Sequence, residues 1–500
     1  MCLGILALQG LAQSHAATQV SGIIAGQTWT SAGSPYEVTG DLLVASLSIR
    51  PGVEIRFMGN YAFEVAGNLT ASGESAAMIQ FRPANPATGW QGVYFNESPP
   101  GSTLDFCRIE GSVNSGIRVV NSNPIIRHSV ISNNTTTNNG SGGGIVAALK
   151  SGRLLLQSCV LTNNRAIGAA SSGGGAAISL GSMTISNSLI ANNASGFQGG
   201  GLWSHEGGEF IVVNSLVISN RSIWGGGART DGGKLDWRNC TIVKNEPEAL
   251  SSYGGQITVT NSVIHLNGTG EWLTHARSTI LVAYSSIQGS TPFAGPGNKS
   301  GNPVLNPFTF ELLLGSPCID GGNPDAAYND SCLPPSMGTV RNDMGVFGGP
   351  GACIGVGLGT DDADGDGLPD DWEVTYFGNI TSQNGTGDAD QDKLTNADEY
   401  KAATNPTKGD TDGDGYSDYA EIRSQSDPLD PKSIPPADLT LTVEQVRLEF
   451  VAGMNEKVAI QSSSDLAQWA DVEVINGTGD VVTRIYNVSN GQRYFKTVRR

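Results

Sequence analysis

Three windows of the chain set oxygen-bearing side chains at alternate positions and end on a glutamate. The first holds Asp362, Asp364, Asp366, Asp370 and Glu373. The second holds Asp388, Asp390, Asp392, Asn396 and Glu399, and the third Asp410, Asp412, Asp414, Asp418 and Glu421. These are positions 1, 3, 5, 9 and 12 of a twelve-residue loop whose position 7 offers its main-chain carbonyl to a hard divalent cation. The carbonyls so assigned belong to Leu368, Leu394 and Tyr416. Gly367 and Gly415 occupy position 6, where the chain must turn sharply, but the second window has Lys393 there. Position 9 commonly ligates through water, so Asp370, Asn396 and Asp418 are the outermost members of each set. No His or Cys lies between 361 and 430. Ca²⁺ is therefore the expected cofactor, and zinc is disfavoured.

A second group of residues could do acid–base chemistry. Trp203, His205, Glu206 and Glu209 precede Arg229, Asp231, Lys234 and Asp236 by one repeat step. Aligning Gly207-Gly208 with Gly232-Gly233 sets Glu209 level with Lys234. Polysaccharide hydrolysis needs paired carboxyl groups, and elimination needs a base beside a charge-neutralising cation. His205, Glu206, Arg229 and Asp231 are the candidates for such roles. The plainer reading is a solvated ion-pair ladder at a turn. Trp203, Trp224, Trp237 and Trp272 are read as core, the alternative being an exposed strip on which sugars stack.

Charge narrows the partner classes. The net charge is −18, and residues 361–430 contain 19 of the 47 acids but only 4 of the 29 bases. The rest of the chain is nearly neutral, with no Lys/Arg cluster to trap nucleic acid. No apolar run is long enough to predict a membrane-spanning helix.

The elements that must carry these residues repeat along the chain. The pattern [N/S]-[S/C]-x-[I/L/V]-x-x-N recurs around Ser129, Cys159, Ser188, Ser215, Cys240 and Ser262, with weaker copies at Cys107 and Ser285. Between the copies lie Gly142-Gly143-Gly144, Gly173-Gly174-Gly175, Gly199-Gly200-Gly201 and Gly225-Gly226-Gly227. Short β-branched runs recurring every 22–30 residues fit one coil of a parallel β-helix, whereas the Gly and Asn content opposes helical repeats. Like residues then stack from coil to coil. Asn187, Asn214, Asn239 and Asn261 are expected to form an internal amide ladder, and the column Asn134 to Asn267 another at a turn. Residues 38–81 read as the first coils.

These columns make the chain resemble the right-handed parallel β-helix repeat proteins of bacterial secretomes over roughly residues 20–310, and its GGG elements are similar to polymorphic outer-membrane protein repeats. Gly315–Pro324 and Arg341–Gly349 resemble the closing segment of such helices in choice-of-anchor surface proteins. The acidic windows, with breaks at Asn405-Pro406 and Asp427-Pro428, resemble bacterial thrombospondin type 3 repeats, which implies structural calcium and a stiffened stalk.

The expected fold is all-β: a right-handed parallel β-helix, then calcium-loop repeats, then a small β-sandwich. Residues 1–17 read as a secretory signal peptide, 18–315 as the β-helix and 316–356 as its closing segment. Residues 357–432 read as the calcium repeats, and 433–500 as the sandwich, after a linker at Ser433–Pro436. Trp469 is expected in the sandwich core. Cys107, Cys159 and Cys240 fall on the small-residue column as buried fillers. Cys332 and Cys353 are the expected disulfide in an exported chain. The function expected is a secreted or cell-surface scaffold binding an extracellular polysaccharide or cell-surface component; the alternative is a polysaccharide lyase or glycoside hydrolase on the same helix.

Overall fold

The computed structural model describes residues 17–500 apart from 138, 151, 275–276, 307–308, 334, 353–365, 367, 369, 403, 425, 436–444, 464–466 and 488–493. The expected signal segment thus lies outside the described residues. The chain divides into two compact units, residues 1–303 with 317–359, and residues 304–316 with 360–500.

The first unit is a parallel β-helix. Each coil contributes strands to three columns, and every strand pairs in parallel with its counterpart one coil on. Inward residues stack like on like. One row runs Ile109, Ile131, Leu161, Ile190, Val217, Ile242, Ile264 and Ile287. A second runs Leu104, Ile126, Leu156, Ile185, Val212, Trp237, Val259 and Val282. These rows form one continuous hydrophobic core from Ile24 to Ile287. Pairing starts with Thr18–Ile24 against Tyr36–Val44, ahead of residues 38–81 and at the expected start of the β-helix.

Two buried polar columns bind the coils together. In the small-residue column, the amides of Cys107, Cys159, Ser188, Cys240 and Ser262 each donate to the hydroxyl of the next coil's serine. Its cysteines are fully buried, and burial pushes the Cys159 and Cys240 thiols up to about 12. In the second column, Asn134, Asn164, Asn193, Asn220, Asn245 and Asn267 form an internal amide ladder. Each Nδ2 donates to the Oδ1 of the next asparagine at 3.0–3.1 Å, and the same Oδ1 accepts the preceding asparagine's backbone N–H. The donor end closes on Glu271, whose Oε2 accepts from Asn267 Nδ2 at 2.6 Å. At the GGG corner the backbones approach too closely for a side chain. A Cβ on Gly144, Gly175 or Gly201 would lie 2.4–2.6 Å from the carbonyl oxygen of the matching glycine one coil on.

The other expected ladder is not internal. Asn187, Asn214, Asn239 and Asn261 stand at left-handed corners, with φ between 43° and 52°, a conformation asparagine tolerates. Their amides hold the closing segment against the outside of the coils. Asn187 Nδ2 donates to the Gly351 carbonyl, Asn214 to those of Val346 and Gly348, and Asn239 to that of Asp343, while Asn261 Oδ1 accepts the Asn323 N–H. The segment therefore runs back along several coils. It is shaped by two buried carboxylates: Asp343 accepts the amides of Asp320 and Met337, and Asp330 those of Asp343 and Gly349. Cys332 is disulfide-bonded; its expected partner, Cys353, lies outside the described residues.

In the second unit three short helices, α1 (Asp370–Phe377), α2 (Asn396–Ala402) and α3 (Asp418–Ser424), follow the acidic loops. Gln445–Ala452 pairs antiparallel with Asp480–Asn487, and Lys457–Ser463 lies between Ala470–Asn476 and Tyr494–Arg499. The two sheets share a core of Leu448, Phe450, Val458, Ile460, Ile475 and Phe495. Trp469 is not in that core. It is half-buried, with Lys496 Nζ 4.2 Å from its ring centroid.

The amide ladder generates a stability prediction. Asn193→Ala leaves buried donors on Asn164 and the Leu161 carbonyl without partners, so it is expected to cost about 3 kcal/mol. Asn192→Gly, at the exposed left-handed neighbour, is expected to change stability by under about 0.5 kcal/mol. Denaturant unfolding followed by β-sheet circular dichroism separates the two; equal losses would contradict the ladder's role.

Candidate functional site

The second and third acidic loops are built by the same hydrogen bonds. The first aspartate of each, Asp388 or Asp410, accepts the amides of positions 4 and 6 at 2.7–3.1 Å. The second, Asp390 or Asp412, accepts the amide of position 5, and the third, Asp392 or Asp414, that of position 7. The first loop shows the matching bond from Leu368 N to Asp366 Oδ1, while Asp362 and Asp364 lie outside the described residues. Lys393 adopts the left-handed turn expected of glycine, with φ 92°, close to the 98° of Gly415. Its ammonium pairs with Asp480.

Within each of the two loops, the three aspartates offer carboxylate oxygens that all lie within 4.8 Å of one another. Amides take both oxygens of Asp388, Asp410 and Asp392, the last through Tyr419 N, but only one oxygen each of Asp390, Asp412 and Asp414. Asp390 Oδ2, Asp412 Oδ2, Asp414 Oδ2, Glu399 Oε2 and both oxygens of Glu421 are buried without a hydrogen-bond donor. Glu399 and Glu421, the position-12 residues, are fully buried, as is Glu373 in the first loop. A buried carboxylate oxygen with no donor is unfavourable, and several facing one another are more so. Burial, then the neighbouring aspartates, push Glu399 and Glu421 up to about 9 in the absence of metal. The donor set is all hard oxygen on short loops, which fits Ca²⁺.

The position-9 residues act differently. Asn396 Oδ1 accepts the Ala389 amide, and Asp418 accepts both the amide and the hydroxyl of Thr411. Each begins its helix and bonds back to position 2 of its loop. These bonds close the loop. Asp370 is the first residue of α1.

The third loop also bonds to the C-terminal sheets. Its Gly415 carbonyl accepts the Met454 amide, Ser417 N donates to Gly479 O, and Tyr416 Oη donates to Glu456 Oε2 at 2.7 Å. The carbonyl assigned to the cation thus belongs to a residue anchored in the sheets.

The acid–base candidates lie on neighbouring strands of one outward face of the β-helix. Trp203 sits opposite Arg229, which sits opposite Ser251; His205 sits opposite Asp231, which sits opposite Tyr253. The Trp203 and His205 rings stack at 4.0 Å. Trp203 Nε1 donates to Asp231 Oδ2 at 2.8 Å; Arg229 bonds Asp231 Oδ1 through Nε and Nη2, and Ser251 Oγ through Nη1. Arg229 is 5% exposed. Burial lowers the His205 pKa, against the pull of Glu206 and Asp231, so the ring is neutral near pH 7. Glu206 projects into solvent, its carboxylate 3.8 Å from His205 Nδ1. His205, Arg229 and Asp231 are therefore brought together, but Arg229 and Asp231 satisfy each other. Glu209 and Lys234 are directly opposite one another. Of the four tryptophans, Trp237 is core, Trp272 packs against the core from its edge, Trp203 faces outward and Trp224 is 36% exposed.

Sequence reasoning missed Ser251 and the buried Glu248, whose Oε1 accepts the Gly225 amide at 2.6 Å. The available signal was Pro247-Glu248-Ala249, which stands one coil on from a GGG triplet.

Two family models match this chain. The model for a right handed beta helix region matches residues 55–182 and 136–287, and that for the bacterial TSP3 repeat matches residues 362–378 and 410–431. The chain is a right-handed parallel β-helix protein. More particularly, it is one whose helix is followed by bacterial TSP3 repeats, a calcium-binding and extracellular type. Comparison with curated proteins and with solved structures found no match. The second loop, residues 388–399, falls between the two TSP3 matches yet has the same hydrogen bonds as the third.

Two predictions follow from this geometry. Equilibrium dialysis is expected to find about three Ca²⁺ per chain, one for each loop. Glu399→Gln and Glu421→Gln are each expected to lose one; unchanged uptake in both would contradict the assignment. The second concerns the metal-free protein. Glu399 and Glu421 titrate near 4.5 when unfolded and near 9 when folded, so the folded state holds protons that the unfolded state has released. Stability of the second unit must then fall as pH rises between those values. With excess chelator, its melting temperature is expected to be lower at about pH 8 than at about pH 5.5, and calcium is expected to remove the difference. A rise with pH in chelator would contradict it.

Proposed function

We propose that this chain is a secreted or cell-surface protein whose β-helix presents a rigid lateral surface to extracellular carbohydrate or another cell-surface component, without turning it over, while calcium orders its repeats. The observation that carries the reading is the closed state of the outward cluster around Arg229 and Asp231. Arg229 and Asp231 direct their polar atoms at each other, at Trp203 and at Ser251. A lyase base or a hydrolase acid needs a polar atom aimed at a substrate. The calcium part rests on the buried, donorless carboxylate oxygens of the second and third loops. Among the described residues no helix is long and apolar enough to cross a membrane.

A second reading, a polysaccharide-cleaving enzyme, is favoured by one observation: His205, Arg229 and Asp231 converge on a single outward face beside Trp203. One assay separates the two. The calcium-loaded protein is incubated with neutral and uronate polysaccharides, and unsaturated products and new reducing ends are followed. Retention on a polysaccharide without products is the expected result. Turnover that disappears in His205→Ala and Glu206→Gln would replace the scaffold reading with the enzyme.

A further inference from the structure

The internal amide ladder has an outer companion on the same coils. The repeat places two asparagines in succession: Asn133-Asn134, Asn163-Asn164 and Asn192-Asn193. The inner member of each pair is buried in the ladder. The outer members stand at φ 55° and are exposed. Two residues further on, Thr135, Arg165, Ala194, Arg221 and Glu246 are aligned one coil apart. Along this corner lie two adjoining hollows of 390 and 500 Å³ that share Arg165 and Ala194, and a third of 290 Å³ follows at Arg221 and Glu246. Together they form a furrow along the helix axis.

The floor is kept low by small residues. Ala166 and Ala194 line it, and Gly196 admits no side chain, because a Cβ there would lie 2.0 Å from the Gly168 carbonyl oxygen. On the side away from the asparagines, Ile167 and Ile223 are exposed, at 49% and 53%. The corner thus offers a row of amides, repeating at a strand spacing of about 4.8 Å, and a guanidinium on one side, with two apolar groups two coils apart on the other.

This chemistry selects among occupants. Backbone amides of Thr135, Arg165 and Ala194 already donate within the β-helix, so an added peptide strand finds no open edge. Arg221 pairs with Glu246, which leaves Arg165 as the one cation of the two larger hollows and too little charge for a nucleic acid. Amides that both donate and accept, a forked guanidinium and apolar patches suit a chain carrying regularly spaced hydroxyls and apolar ring faces. We infer that this furrow, lined by Asn133, Asn163, Asn192 and Arg165 and flanked by Ile167 and Ile223, is a binding groove for an extended neutral polysaccharide lying along the helix axis. The inference rests on the carbohydrate-binding form of the proposed function and gives it a location.

The test uses the full calcium-loaded chain on columns of cellulose, xylan and mannan, with polygalacturonate and alginate as acidic polymers. Asn163→Gly with Asn192→Gly keeps the left-handed backbone while removing two amides, and Arg165→Ala removes the fork. Retention on a neutral polymer is expected to weaken about tenfold in each variant. It should be unchanged in Arg153→Ala, on a strand outside the furrow. Undiminished retention in the furrow variants would overturn the groove and leave the proposed function standing. Retention on acidic polymers alone, released by salt, would overturn the neutral occupant. No retention on any polymer would overturn the carbohydrate reading and the groove with it.

Discussion

A parallel β-helix has an interior that every coil must share, and the asparagine ladder shows what that sharing demands. A turn buried inside the coil stack brings backbone N–H and C=O groups with it, and these must be satisfied away from water. One amide side chain in each of the six coils from Asn134 to Asn267 does this. Asn164 accepts the backbone N–H of Asn134, donates to the Ile131 carbonyl and passes a second bond to Asn193. Because each side chain serves a neighbouring coil, no coil can change alone. The same coupling explains the serine column and the aliphatic rows, where a residue is constrained by what stands above and below it.

The second unit obeys the opposite constraint. Here the loops gather like charges where the helix gathers like neutral groups. Asp388, Asp390 and Asp392 are held by their own turn amides, with a buried glutamate beneath. The loop bonds fix the shape but leave oxygens that only a cation or protons can neutralise. A cation bound there would complete the fold of these loops, which accords with a structural and not a signalling role. The anchoring of Tyr416 and its neighbours in the C-terminal sheets carries that dependence beyond the loop itself.

Much of this was legible in the sequence, because repeats disclose stacking. The small-residue column, the GGG corner and the ladder from Asn134 to Asn267 all read directly from period and residue type. What misled was the second asparagine column. An asparagine at a buried ladder position and one at a left-handed outer corner share composition and period. They differ only in what covers them, and the cover for Asn187 to Asn261 comes from residues 323–351, far along the chain. The position-9 residues of the calcium loops were opaque for a related reason. Asp418 has the chemistry of a ligand, and only the placement of Thr411 shows that its oxygens also close the loop.

The doubled asparagines show how one repeat can serve structure and surface together. Successive residues at a left-handed corner point in different directions, so Asn164 can be fully buried while Asn163 is exposed. The inner amide is constrained by its neighbours above and below. The outer one has no such duty, and its column reads Asn, Asn, Asn, then Ser219, Lys244 and Leu266. The drift is confined to the outer column while the inner stays asparagine throughout. The ladder therefore fixes the spacing of the outer row without fixing its chemistry. A surface built this way can be altered coil by coil without disturbing the core, which is the property a binding scaffold requires.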